Sequence, residues 1–129
     1  MTVALRAVTD ENRAEVVGLR VAPSQERFVG TVADALTDAD EIPEGKGWYR
    51  AVYADGEPVG FVMLSWNVVP RPPRIIGPWF LWKLLIDERH QHRGYGRDVV
   101  RLVAGIVRAN GAHELLTSCV QAADGPEAF

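Results

Sequence analysis

Six consecutive residues, Gln91-His92-Arg93-Gly94-Tyr95-Gly96, bring together residue types suited to holding an anion. Two glycines one residue apart let the main chain come close to a ligand. Arg93 and Arg97 flank them and add positive charge. The run from Gly94 to Ala109 reads as an amphipathic helix. Val99, Val100, Leu102, Val103, Ile106 and Val107 form its apolar stripe, and Arg97, Arg101 and Arg108 lie mostly elsewhere. A helix N-terminus leaves backbone N–H groups unpaired and carries partial positive charge, so a glycine turn opening into it suits a phosphate or pyrophosphate. The competing reading is a tight turn with no ligand. Two specific phosphate loops are excluded. A dinucleotide fingerprint needs a third glycine where Val99 stands, and a Walker loop needs a Gly-Lys-Ser/Thr ending.

Other chemistry-bearing residues are sparse. His90 and His92, two apart, could both reach one metal ion, but no third or fourth ligand lies nearby, and no metal is expected. The Arg89 to Arg93 cluster does not make the chain a nucleic-acid binder, because the net charge is −3. Asp34, Asp38, Asp40 and Glu41 could attract a polycation, or could simply be a solvated helix end. Cys119 is the lone cysteine, so no intrachain disulfide forms, and a reducing cytoplasm is the expected location. No apolar run approaches a membrane span and no signal-peptide pattern opens the chain.

The elements that must position the glycine loop follow from patterning. Thr2 to Val8 predicts a strand, and Thr9-Asp10 can start a helix with Ala14, Val17 and Leu19 inward. Helical periodicity restarts at Pro23-Ser24, with Phe28, Val32 and Leu36 on one face. Trp48–Ala54 and Val59–Ser65 form a hairpin about Asp55-Gly56. Pro70-Arg71-Pro72-Pro73 is a loop. Trp79 to Ile86 is a nearly continuous apolar run, expected to be a strand buried on both faces. Asn110-Gly111 stops the long helix, and Glu114 to Val120 is the last strand. Asp124 to Glu127 can start another helix. The predicted order is β-α-α-β-β-β-α-β, an α/β chain with a mixed sheet in one domain of 129 residues.

With these elements in place, the chain resembles the GNAT superfamily of N-acetyltransferases. Gln91 to Gly96 matches the family pattern Arg/Gln-x-x-Gly-x-Gly/Ala, five residues after a Leu-Leu-Ile strand end. LWKLLIDERHQHRGYGR, VAPSQERFV followed by ADAL, and VGFVML are similar to the bacterial polyamine (spermine/spermidine) acetyltransferase branch.

The resemblance implies a concrete site. Gln91, His92, Arg93, Gly94, Tyr95, Gly96 and Arg97 would hold the pyrophosphate of acetyl-CoA. Leu84, Leu85 and Ile86 would hydrogen-bond its pantetheine arm, and an N–H near Leu85 would polarise the thioester carbonyl. A bulge in that strand would splay it from the last strand. A small-molecule primary amine would attack directly, and no nucleic acid or membrane is implied as a partner. The general-acid Tyr of the family would follow Phe129, with a helix and final hairpin beyond it. Without them, the expectation is either that residues 1–129 are a C-terminally shortened form of the domain or that a second copy of the chain, in a homodimer, covers the last strand's edge. A carboxylate that animal polyamine enzymes carry four residues before Ile86 corresponds here to Trp82. Glu26 is the candidate base, with a solvated helix carboxylate as the competing reading. The alternative to an active transferase is a domain that binds acetyl-CoA without turnover.

Overall fold

In the computed structural model, residues 3–23, 30–72 and 75–117 are described. Their order is β1 (Ala4–Arg6), α1 (Arg13–Val17), α2 (Val32–Glu41), a 3₁₀ turn (Pro43–Gly45), β2 (Gly47–Ala54), β3 (Glu57–Ser65), β4 (Phe80–Ile86), a second 3₁₀ turn (Glu88–His90), α3 (Tyr95–Ala109) and β5 (Leu116–Thr117). The strands form one mixed sheet in the order β1-β2-β3-β4-β5. Every pairing is antiparallel except β4 with β5. A parallel step cannot be closed by a hairpin, and α3 supplies the crossover.

The sheet separates two apolar layers. On one face Val99, Val103 and Val107 of α3 pack with Val52, Val62, Leu64 and Trp79. On the other, Val16 and Leu19 from the α1 region and Val32, Ala35 and Leu36 of α2 pack with Ala51, Phe61, Met63 and Leu85. Period-2 alternation along β2 and β3 sends neighbouring residues to opposite layers. The β2–β3 hairpin turns at Asp55 and Gly56, both at positive φ (52° and 82°), the mirror-image turn that matches strand twist. At its far end α3 stops at Gly111, whose φ is 95°. The Gly111 N–H donates to Arg108 O (3.1 Å) and the Ala112 N–H to Val107 O (3.0 Å), which satisfies the last carbonyls.

Three expectations need correction. The first helix begins at Arg13 rather than Thr9, because the Asn12 carboxamide accepts from the Thr9 N–H at 2.7 Å and holds that stretch as a turn. Val17 and Leu19 pack inward as expected, but Val16 is the fully buried residue of the helix and Ala14 is exposed. Pro23 is helical, as expected, but the helix that carries Val32 and Leu36 has its own start at Val32. Gly30 takes φ 77°, which breaks the helical path, and Thr31 then caps the helix reciprocally with Asp34. Finally, β4 is half-buried along most of its length, with Leu85 alone fully inside. The described part of β5 pairs only with Phe80 and Leu81, so the other half of β4 is not flanked by it. Ser24, Glu26, Phe28, Pro73, Cys119, Val120 and the Asp124–Phe129 stretch lie outside the described residues, as does the rest of the predicted last strand.

Candidate functional site

The strand that leads to the glycine loop carries a bulge. From Gly60↔Ile86 to Met63↔Lys83 the β3–β4 register is regular, and it then jumps to Leu64↔Leu81. Trp82 is the extra residue. A bulge bends a strand and resets its alternation. Leu81 and Leu84 both pack toward α3, whereas Trp82 and Leu85 pack toward α1 and α2. Lys83 reaches the same side as Trp82, with Nζ 4.0 Å from Asp38 Oδ2.

The bulge also decides which backbone groups look outward. The Asp87 N–H donates to Val59 O at 2.8 Å, so Asp87 is bonded into β3. Alternation turns the main-chain groups of Leu85 and Lys83 toward β3 as well, and those of Leu84 and Ile86 away from it. Consistent with that, the Ile86 carbonyl accepts from Gln91 Nε2 at 2.9 Å. Before the bulge, Trp79 O accepts from the Leu116 N–H at 2.9 Å, which places the outward set on the odd residues there. Gly60 lets the two strands close up, since a Cβ at that position would run into the Leu85 carbonyl oxygen.

Beyond Ile86 the chain is tightly specified. Asp87 caps the 3₁₀ turn, its side chain accepting from the Arg89 N–H at 3.0 Å. Two residues of the following loop, His92 (φ 64°) and Gly94 (φ 81°), are left-handed. Left-handed positions spaced in this way turn successive N–H groups into a concavity that suits an anion. A left-handed His is uncommon outside such constrained turns. A Cβ built on Gly94 meets nothing within 4 Å, so the space beside it is open. The first helical bond of α3 runs from the Asp98 N–H to Gly94 O at 3.1 Å. The N–H groups of Gly96 and Arg97 therefore lie ahead of the helical ladder, at the positive end of a 15-residue helix.

The side chains divide. His92, Arg93 and Arg97 are exposed around the loop. Tyr95 is 2% exposed and packs into the α3 layer, so only its main chain can serve a ligand. His90 Nε2 sits 3.8 Å from Glu57 Oε1. Among the described residues, no group of three or more His, Cys, Asp or Glu could hold a metal ion. Of the acidic residues on α2, Asp34 is engaged in the Thr31 cap and Asp38 faces Lys83, while Asp40 and Glu41 point to solvent. Trp82 lies flat enough on Gly45 that a Cβ there would come within 2.9 Å of its ring.

Sequence reasoning missed Asp87. Its side chain is 4% exposed and accepts three N–H groups: Arg20 N (3.1 Å), Arg89 N (3.0 Å) and Arg89 Nε (2.8 Å). Burial alone would raise its pKa. The hydrogen bond from the Arg89 guanidinium and those from the Arg20 and Arg89 backbone outweigh burial and hold the carboxyl below the ordinary aspartate range. The signal was an aspartate directly after an apolar strand and two residues before an arginine, an N-cap pattern on a turn too short to show periodicity.

A bulged strand whose last residues turn their main-chain groups away from β3, running into an anion-binding turn and helix, is the arrangement of a protein that grips a phosphate-bearing ligand along a strand. Comparison with known proteins makes the class specific. Residues 26–127 match the family described as Acetyltransferase (GNAT) family, and the chain belongs to that family. It is 31% identical over 103 residues to the spermine/spermidine N(1)-acetyltransferase of Bacillus subtilis (strain 168), a match covering 78% of this chain and 65% of that protein. A probable spermine N(1)-acetyltransferase of Bacillus subtilis subsp. natto is 29% identical over the same length, again 65% of the relative. Among solved structures, AAC(6')-Iy in complex with the bisubstrate analogue CoA-S-monomethyl-acetylneamine superposes with a TM-score of 0.62 at 18% identity. That superposition covers 94% of this chain and 82% of the other. At that identity the likeness speaks for the fold.

Proposed function

We propose that the chain is an N-acetyltransferase that moves an acetyl group from acetyl-CoA directly to a primary amine of the polyamine class. The observation that carries this is the loop from His92 to Arg97, whose two left-handed residues and helix start directly follow the outward-facing end of β4. Acetyl-CoA supplies an acyl group activated as a thioester. The N–H groups of Gly96 and Arg97 suit its pyrophosphate, and Arg93 and Arg97 add screening charge. The alternation of β4 favours Leu84 and Ile86 over Leu85 as the residues that meet the pantetheine arm. The carbonyl-polarising N–H near Leu85 would then be one of these outward-facing groups.

The polyamine reading rests on the two Bacillus relatives, whose names state that activity. Lys83 beside Asp38 tempers the negative charge on the α2 side. An acceptor with well-spaced ammonium groups fits that better than one with crowded charge. Glu26 stays the candidate base. The location in keeping with a lone cysteine is the cytoplasm, and among the described residues no helix is long and apolar enough to cross a membrane. With β5 last in the sheet order, pairing with a second copy is a further proposal, which solution mass tests.

Thermal stabilisation by acetyl-CoA is the first experiment, and an unchanged melting temperature at saturating acetyl-CoA would sink the reading. Free-thiol release is then followed with spermidine, spermine and short diamines. Release with any of them supports transfer. Stabilisation without release from any acceptor assigns the chain to the non-catalytic, CoA-binding alternative.

A further inference from the structure

We infer that Asp87 is a positioning residue that pre-forms the cofactor loop by tying it to the segment after α1. The inference rests on the reading of residues 91–97 as an acetyl-CoA loop, and it concerns a residue that the family pattern of that loop does not include. Three observations carry it. Asp87 is bonded into the sheet through its own N–H to Val59 O, so its position is fixed by β3. Its carboxylate then receives donors from two directions: Arg20 N, which follows α1, and Arg89 N and Nε, which open the loop. The two backbones are stitched a second time, because the Glu88 N–H donates to Arg20 O at 2.8 Å.

The geometry has a direct consequence for the loop. Between β4 and α3 the chain must make a 3₁₀ turn and then pass through two left-handed residues. Such a path is costly for a loop to find unaided, since each ordered residue loses conformational freedom. Asp87 fixes the first turn through Arg89 N, its carbonyl accepts the His90 N–H at 2.8 Å, and Gln91 is anchored to Ile86. The strained residues thus begin from a fixed point. A loop shaped before the ligand arrives binds more tightly because less ordering is left for binding to drive. Arg20 takes part through its backbone, while its guanidinium turns back on Val17 O and Leu19 O. Its side chain is therefore dispensable to this link.

The test is the acetyl-CoA dissociation constant by calorimetry, measured well below each variant's melting temperature. Asp87→Ala is expected to weaken binding tenfold or more. Asp87→Ser keeps a cap for the Arg89 N–H and should recover part of the loss. Arg20→Ala should stay within twofold of wild type. A lower melting temperature with unchanged affinity in Asp87→Ala would show a purely structural role and overturn the inference. If Asp87→Ala does not fold, Asp87→Ser and Asp87→Asn decide it in the same way, wild-type affinity in both being the overturning result. Failure of the wild-type protein itself to bind acetyl-CoA is a different result, because it removes the functional reading before any variant is compared.

Discussion

Gln91 Nε2 donates to the Ile86 carbonyl at 2.9 Å, so the first residue of the glycine loop is fastened to the last residue of β4. The bond returns the loop to its starting strand. Gln91→Ala frees an outward carbonyl and lets the loop drift. A net hydrogen bond of this kind contributes about 1 kcal/mol. Acetyl-CoA affinity should therefore fall about fivefold, with a small drop in melting temperature, both measurable in one thermal titration.

Gly94 separates conformation from space. Its φ of 81° is expensive for any L-residue, yet a Cβ there meets nothing within 4 Å. Gly94→Ala should cost about 1 to 2 kcal/mol of stability from the backbone alone. Gly94→Val should fold and lose the acetyl-CoA thermal shift. Denaturant melts with and without the ligand distinguish the two effects.

Gly60→Ala is expected to behave in the opposite manner. The new methyl would press on the Leu85 carbonyl oxygen and lie 2.8 Å from Ile86 Cδ1. Backbone cannot step aside as a flexible side chain can. Overpacking should cost about 1 to 3 kcal/mol, and moving the end of β4 should weaken acetyl-CoA binding too. Gly56→Ala, at φ 82° in the distant hairpin turn, should destabilise while leaving affinity intact.

Asp87 also predicts an acid response. Its folded-state pKa is depressed, because hydrogen bonds to the charged form outweigh burial. The stabilisation is therefore complete above the unfolded-state value of about 3.9 and is lost as pH falls through the lower folded-state value. Asp87→Asn should be less stable than wild type at neutral pH by about 1 to 3 kcal/mol. The difference should shrink below about pH 4, as the wild-type carboxylate takes up its proton. Urea melts across that range check the sign.

Much of this is legible in the chain itself. The hairpin is marked by Asp55-Gly56, the long helix by its valine stripe, and the site by two glycines where an apolar strand meets a helix. These are local signals, carried by a few residues near one another in the chain. Other features escape periodicity, and one depends on a partner far away. Gly30 and the Thr31 cap interrupt a helical pattern that periodicity alone extends back to Pro23. The role of Asp87 needs Arg20, 67 residues earlier, to be visible. The family resemblance implies a bulge in β4, and the register has one, but its place at Trp82 leaves no trace in a run that is apolar at almost every position. Glu26 lies outside the described residues, so its assignment as base still rests on sequence.

A strand is read in steps of two, and one unpaired residue acts on it as a frameshift. Downstream of Trp82 every odd-numbered residue has exchanged sides with its even-numbered neighbours, for side chains and amides alike. Deleting that single tryptophan would be the compensating frameshift: Leu81 and Lys83 would become neighbours on a regular ladder, and Lys83, Leu84 and Ile86 would keep the sides they have now. Pairing Trp82 into the ladder instead would send Lys83 into the layer under α3 and turn the Leu84 and Ile86 amides back toward β3, with the sequence around the glycine loop unaltered.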